Sequence, residues 1–375
     1  MRTPAEVPRP EQAPPSGRRR TLIVSASMGA GHDTVAGELA RRAGAQGYEP
    51  HVVDVLQLLP YGLGTGLRRS YQASVRHAPW VYAGVYGAFL RGGTGPRPSG
   101  VPLARLAAGR LTGLVDRLDI DAVVSVFHLS AQLTGHLRAC GRLRVPSTVF
   151  LLDFAVHRQW LHPGNDRYLC LTDTAASQVR RVLGTPAVTT GPAVAPEFLA
   201  PAPAAAGWRE LFRGHAPGRP AVLLSAGAWG AASRPEDTAR LLAGAGYLPV
   251  VLCGRNARLR ARVSRVPEAL ALDWVDDMPG LLAASYALLD NAAGQTAVQA
   301  LATGLPVVGY RPLPGHGVEG VRQMADHGLS EYAGTGPRLL RALGRLSEAG
   351  GVRAERAARG RALFRGDVVG QVAGL

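Results

Sequence analysis

The stretch Thr21-Leu-Ile-Val-Ser-Ala-Ser-Met-Gly-Ala-Gly-His32 constrains the fold of this chain more than any other. Its first half is a continuous, β-branched apolar run, the pattern of a strand covered on both faces, as in parallel sheets flanked by helices. Met28-Gly-Ala-Gly31 then breaks the run, and apolar residues at 35, 36, 39, 40 and 43 recur at helical spacing. A strand, a glycine turn and a helix in immediate succession open a β/α unit. Gly29 and Gly31 let the backbone approach a ligand, and the first helical turn offers unpaired N–H donors and a partial positive charge. His32 adds a side chain that exchanges a proton near neutral pH. A dinucleotide-binding turn is one explanation, because Asp54 ends the next run, His51-Val-Val-Asp54, where a ribose-binding acid would stand; Thr34, however, occupies the place of the third small residue. A purely structural turn is another.

The alternation recurs along the chain. Residues 1–17 are Pro-rich without apolar patterning and are expected to be disordered. Residues 18–190 read as a first domain, with strands at 51–54, 122–127 and 148–153, helices at 103–118 and 130–140, and a further strand–helix pair ending near Arg181. Within it, residues 63–90 form an insertion of one or two amphipathic helices, followed by a Gly/Pro loop at 92–102. The low-complexity, proline-repeating run 191–207 marks a linker. Residues 208–335 restart the alternation, with strands at 221–225, 248–252, 271–275, 286–290 and 306–310, and residues 336–375 form an Arg-rich helical segment. The fold class that follows is α/β: two Rossmann-like, doubly wound domains facing an interdomain cleft, with the site at the carboxyl ends of the strands.

At 375 residues the chain has room for two full cores. No apolar run reaches membrane-spanning length, so the expectation is a chain that is soluble or lies on a membrane surface. Arg18-Arg-Arg20 before Leu22-Ile-Val24 imitates a secretion signal, but the apolar core is too short and runs into the glycine turn, which favours a cytoplasmic protein. Cys140, Cys170 and Cys253 are odd in number and lack metal spacing, as in a reducing compartment. The formal net charge is +15, and all 42 basic residues are Arg. Such a charge suits an anionic partner. Arg68, Arg69 and Arg76 interleave with Tyr71, Trp80, Tyr82, Tyr86 and Phe89, which fits a membrane interface and equally a helix packed by its aromatic face. No motif supports nucleic-acid binding.

Several segments taken together resemble one family. Met28-Gly-Ala-Gly-His32 is similar to the amino-terminal GxGH turn of monogalactosyldiacylglycerol synthases and processive diacylglycerol glucosyltransferases. Leu152-Asp-Phe-Ala-Val-His-Arg-Gln-Trp160 is similar to their (T/L)DxxxHxxW segment, with Asp153, His157 and Trp160 at matching spacing. In the second half, Leu224-Ser-Ala-Gly-Ala-Trp-Gly230, Val251-Leu-Cys-Gly-Arg-Asn256, Trp274-Val-Asp-Asp-Met278 and residues 294–310 resemble the donor-binding half shared with the lipid II-forming N-acetylglucosaminyltransferase. The resemblance implies a GT-B fold of the glycosyltransferase family 28 type. It further implies an inverting, metal-independent transfer from a UDP-sugar to a lipid acceptor such as diacylglycerol, at the inner face of the membrane, with no cofactor beyond the UDP-sugar co-substrate. It places the insertion 63–90 on the acceptor or anionic-membrane side.

Inverting transfer needs a base for the acceptor hydroxyl, and His32 is the candidate, with Asp33 or Asp153 orienting it or competing for the role. Gly29, Gly31, His157 and Trp160 would complete the acceptor side. No metal-ligand cluster is visible in the sequence, so the diphosphate must be met by backbone N–H groups, helix N-termini and Arg. The available pieces are Gly227, Gly230, Arg255, Asn256, Gly294, Gln295 and Thr296, while Val275 and Met278 would border the uracil by resemblance. Three departures stand out. Gln299 occupies the place of the family's ribose-binding Glu, Pro314-Gly-His316-Gly317 replaces the PGQE sugar-reading segment with Glu319 two places on, and Ala293 replaces the first glycine of the phosphate loop. These leave open a GT-B enzyme with a non-lipid acceptor, a nucleotide-sugar epimerase, or a catalytically impaired UDP-sugar-binding homologue.

Overall fold

The computed structural model describes residues 18–90, 99–227, 233–348, 351–366 and Gly370. The expected disordered tail and Gly230 lie outside them. Two six-stranded parallel sheets form the scaffold. The first comprises β1 (Arg20–Ser25), β2 (Glu49–Asp54), β3 (Ala122–Ser125), β4 (Ser147–Leu151), β5 (Arg167–Cys170) and β6 (Ala187–Thr189), in the order β2-β1-β3-β4-β5-β6. The second comprises β7 (Ala221–Ser225), β8 (Leu248–Leu252), β9 (Leu270–Leu272), β10 (Ala287–Asp290), β11 (Val307–Tyr310) and β12 (Ser330–Ala333), in the order β12-β11-β10-β7-β8-β9.

Helices cover both faces. In the first half these are α1 (Ala30–Ala45), α2 (Leu63–His77), α3 (Pro79–Val85), which continues into a π-turn (Tyr86–Leu90), α4 (Val101–Arg105), α5 (Ala108–Arg117), α6 (His128–Ala139) and α7 (Asp173–Leu183). The second half carries α8 (Ala205–His215), α9 (Pro235–Gly244), α10 (Ala257–Val263), α11 (Met278–Ala284), α12 (Gln295–Thr303), α13 (His316–Asp326), α14 (Gly336–Arg345) and α15 (Val352–Ala362). Central strands are mostly apolar because both their faces are covered: β3, β4, β7, β8 and β10 are buried at every position, their few polar residues included.

Several boundaries differ from expectation. The single helix expected at 103–118 is two, α4 and α5, because Leu106 and Ala107 donate three residues back, to Leu103 O (3.2 Å) and Ala104 O (3.0 Å), tightening the turn while keeping Ala107 buried. The insertion holds two helices, α2 and α3, the second of which ends in the π-turn, within the one or two expected. The edge strands β6 and β12 were not anticipated: three and four residues, part polar, are too short to show alternation. The proline-rich run 191–207 is no solvated spacer, since Ala193, Val194 and Phe198 are buried in an apolar cluster that also holds Ile23 and Leu39 from one half and Leu281 and Leu301 from the other. Arg42 Nη2 donates to Val194 O at 2.5 Å, tying α1 to the same run.

Each sheet reverses its winding direction once, between β1 and β3 in the first and between β7 and β10 in the second. In such sheets the crevice beyond the carboxyl ends at the reversal is where ligands bind. The loops after β1, β3, β7 and β10 are therefore the ones that position a site.

Candidate functional site

β1 ends in the glycine turn, and α1 begins at Ala30 with Gly29 at the cap position and no side chain capping the first-turn N–H groups. Those donors are left for a ligand or water. His32 Nδ1 lies 3.0 Å from Val126 O, just past β3, and the ring stands edge-on to Phe127 at 4.9 Å. A carbonyl only accepts, so Nδ1 carries the proton of the neutral ring and Nε2 presents its lone pair. The ring is therefore oriented by a backbone carbonyl, not by Asp33 or Asp153 as expected. Asp33 instead accepts from Ser25 Oγ at 3.0 Å.

Asp153 follows β4 and serves the Trp160 segment. Trp160 is fully buried, and its Nε1 donates to Asp153 Oδ2 at 2.7 Å. His157 is 3% exposed, with Nε2 3.5 Å from the same carboxylate oxygen, while its Nδ1 has no hydrogen-bond partner among the described residues. His128 opens α6 directly after β3, its ring 4.1 Å from Phe127 and 5.1 Å from His157. Burial pushes the His128 imidazolium down to about 3, and holds His157 well below the ordinary histidine range, with the neighbouring histidines adding repulsion. Both rings are neutral near pH 7. His32, Phe127, His128 and His157 thus form one continuous wall. The sequence reading missed His128, which becomes visible only when the sheet order puts β3 beside β1.

Across the cleft, β10 ends at Asp290, which is 3% exposed and accepts from Ala292 N at 3.1 Å and Ala293 N at 2.5 Å. Burial pushes its carboxyl up to about 6 against the pull of these N–H groups. The Asp290 bonds hold Ala293 at φ 52°, so the left-handed turn is made without the glycine expected there. Gly294 then caps α12 with no side chain on the first-turn N–H groups. Gln295 Nε2 donates to Ala193 O at 3.1 Å, and a Cβ placed on Gly31 would lie 3.4 Å from Gln295 Cβ. The amino termini of α1 and α12 therefore meet across the cleft, with Thr296 in the first turn and Gln299 one turn after Gln295 on the same face.

Gly227 leaves β7 at φ 65°. Arg255 lies after β8 with its guanidinium 4.5 Å from the Trp274 ring centroid, and Asn256 caps α10 by accepting from Leu259 N at 3.0 Å. Val275 and Met278 are half-buried beside Trp274. Asp277 is committed to structure: it caps α11 and accepts from Trp208 Nε1 at 2.7 Å. Among the described residues no group of His, Cys, Asp and Glu is arranged to hold a metal ion.

The insertion contributes more than a surface. Tyr82 Oη lies 2.6 Å from His316 Nδ1, and Tyr86 Oη donates to Glu319 Oε2. Trp80, Val81, Val85 and Phe89 are exposed. The aromatic residues read from sequence as one face are thus divided between the cleft and the solvent.

Residues 32–194 match the model of the monogalactosyldiacylglycerol (MGDG) synthase family. The family resemblance read from the glycine turn and the Asp153–Trp160 segment holds. The match to the MGDG synthase model begins at His32 itself and ends in the buried run at Val194. Curated relatives are similar over most of the chain. The processive diacylglycerol beta-glucosyltransferase of Bacillus pumilus is 25% identical over 325 residues, covering 83% of this chain and 82% of that protein. Its counterpart in Bacillus subtilis is 24% identical over 332 residues, with the same coverage. Among solved structures, Acinetobacter baumannii MurG aligns with a TM-score of 0.60 at 15% identity, over 96% of this chain and 99% of that one. Anabaena HepE in complex with UDP-glucose aligns with a TM-score of 0.56 at 13% identity, over 95% and 98%. The architecture is GT-B, as expected.

Proposed function

We propose that this protein is an inverting, metal-independent glycosyltransferase that moves a hexose from a UDP-sugar to a lipid acceptor of the diacylglycerol type at the inner face of the cell membrane. The observation that carries the reading is His32: its Nδ1 is tied to Val126 O at 3.0 Å, its Nε2 lone pair is free to act, and its turn abuts the uncapped amino terminus of α12. In this reading Nε2 takes the proton of the acceptor hydroxyl as that oxygen attacks the anomeric carbon. The bond from that carbon to the diphosphate oxygen breaks, UDP departs from the opposite face, and configuration inverts. The negative charge on the departing UDP is met by the first-turn N–H groups of α12 and by Arg255. The Bacillus relatives named as diacylglycerol beta-glucosyltransferases support the acceptor, and the HepE complex with UDP-glucose supports the donor.

Membrane contact fits Trp80, 76% exposed, together with Val81, Val85 and Phe89 on the insertion, whose arginines suit anionic headgroups. No helix among the described residues is long and apolar enough to cross a bilayer. UDP release is to be measured across a panel of nucleotide sugars, with and without diacylglycerol vesicles and with a chelator. The expected result is release that depends on vesicles, survives chelation, and yields the inverted anomer. Absence of turnover with every UDP-sugar and every lipid acceptor refutes the reading.

A further inference from the structure

We propose that Tyr82 and Tyr86, carried by the insertion of the first domain, are positioning residues for the donor sugar: they hold His316 and Glu319 of the second domain in place across the cleft. The proposal rests on the UDP-sugar reading above. Its starting point is where α13 begins. A Cβ built on Gly317 would lie 2.8 Å from Asn291 O, and one on Gly320 would lie 3.0 Å from Ala293 Cβ. The first turns of α13 therefore pack directly on the loop that leads into α12. A sugar joined to a diphosphate seated at the α12 amino terminus lies beside His316 and Glu319.

Neither residue is positioned by its own domain alone. Tyr82 Oη occupies His316 Nδ1 at 2.6 Å, so the ring is pinned and Nε2 is the nitrogen left for a ligand. Tyr86 Oη takes one oxygen of the Glu319 carboxylate. The contact is steric as well. Gly315 sits at φ 82°, and a Cβ there would meet Tyr86 Cγ at 2.8 Å and Tyr82 Cε1 at 3.3 Å, so both rings lie against bare backbone. The insertion is in turn fixed to the rest of the first domain, where Gln159 Nε2 donates to Phe89 O at 2.7 Å, and it is braced internally by Tyr71, which packs edge-on to Tyr82 at 5.3 Å. A rigid path thus runs from the Trp160 segment, through the insertion, to the side chains nearest the sugar. Discrimination between hexoses that differ at one hydroxyl depends on polar groups held in fixed positions. Here that fixing is supplied from the opposite domain.

Tyr82→Phe and Tyr86→Phe keep both rings and delete only the hydroxyls. In the full-length protein, calorimetry with UDP, UDP-glucose and UDP-galactose separates the parts, and initial rates give KM for the same donors. The expected result is a UDP Kd within about twofold of the parent, and binding of the preferred UDP-hexose weakened about tenfold in each variant, the worth of one hydrogen bond. The glucose-to-galactose preference should shrink with it. Unchanged UDP-hexose affinity and epimer preference in both variants overturns the proposal, and so does an equal loss for UDP and UDP-hexose, which would mark general damage to the cleft. If the parent binds and consumes a UDP-hexose while the variants match it, the positioning role alone fails. A parent that binds no UDP-hexose brings down this proposal and the function reading together.

Discussion

Replacing His32 separates its chemical role from its structural one, and the geometry gives the size of each. The structural part is small. His32→Ala loses the Nδ1 bond to Val126 O and the edge-on contact with Phe127 at 4.9 Å. These are worth about 1 kcal/mol and about 0.5–1.5 kcal/mol, so the sum is about 2 kcal/mol. The chemical part is larger, because a positioned general base contributes about 10²–10⁴ in rate, or about 3–5 kcal/mol of barrier. The variant should therefore remain folded, with a Tm lower by several degrees, while kcat for UDP release falls at least 100-fold and the donor KM changes little.

His32→Asn sharpens the test. Its side-chain amide can reproduce the Nδ1–H donor to Val126 O, yet it offers no lone pair equivalent to Nε2. It should recover most of the lost Tm and none of the lost kcat. Rates for either variant within tenfold of the parent, or recovery of kcat by Asn along with Tm, would refute the assignment of Nε2 as the base.

Two further expectations concern the walls of the cleft. His128 and His157 are held neutral, so the unfolded chain binds more protons than the folded one below the ordinary histidine pKa of about 6.5; stability is present above that pH and is lost as pH falls. Asp290, pushed up to about 6, acts in the opposite sense between about pH 4 and pH 6, where the folded state holds its proton and stability declines as pH rises. Two histidines outweigh one aspartate, so the denaturation midpoint should drop on acidification. His128→Gln should flatten that slope and Asp290→Asn steepen it, and a reversed order of slopes would contradict the assignment. Trp160→Phe removes the 2.7 Å bond to Asp153 and leaves part of the indole volume empty, for a loss of about 2–4 kcal/mol in urea unfolding at constant slope; a loss below about 1 kcal/mol would mean that the Asp153 bond contributes little.

The parallel sheets were legible because buried strands write themselves as apolar runs, as β1 and β7 do, and the glycine turn at 29–31 announces where the first run stops. The cleft was legible by the same logic, since reversal of winding order follows from the alternation. The side chains that face each other were not. His128 sits in Val126-Phe-His128, which reads as the end of a strand until the sheet order sets β3 against β1. Tyr82 and Tyr86 are spaced like any helix face, and nothing local distinguishes a face turned to lipid from one turned to the other domain. The commitments of Asp33 to Ser25 and of Asp277 to Trp208 are likewise long-range facts.

The departures on the donor side acquire a physical meaning from this packing. Ala293 in the left-handed region costs about 1–2 kcal/mol relative to an ordinary conformation, but two Asp290 hydrogen bonds hold the turn, so its shape does not depend on glycine. Gly317 admits no longer side chain, because its Cβ position already crowds Asn291 O at 2.8 Å. An acid at that place would force α13 away from the loop that leads into α12. The first turn of α13 instead carries its carboxylate at Glu319, where Tyr86 of the other domain takes hold of it. Loss of the acid at 317, the close approach of α13, and the reach of the insertion across the cleft are therefore one arrangement. A Gly317→Glu change intended to restore the family's pattern should accordingly lower stability and donor affinity together, with a fallen Tm and a raised KM as the paired readout. A variant with improved donor affinity and an unchanged Tm would show that the loop yields and that the packing does not govern the site.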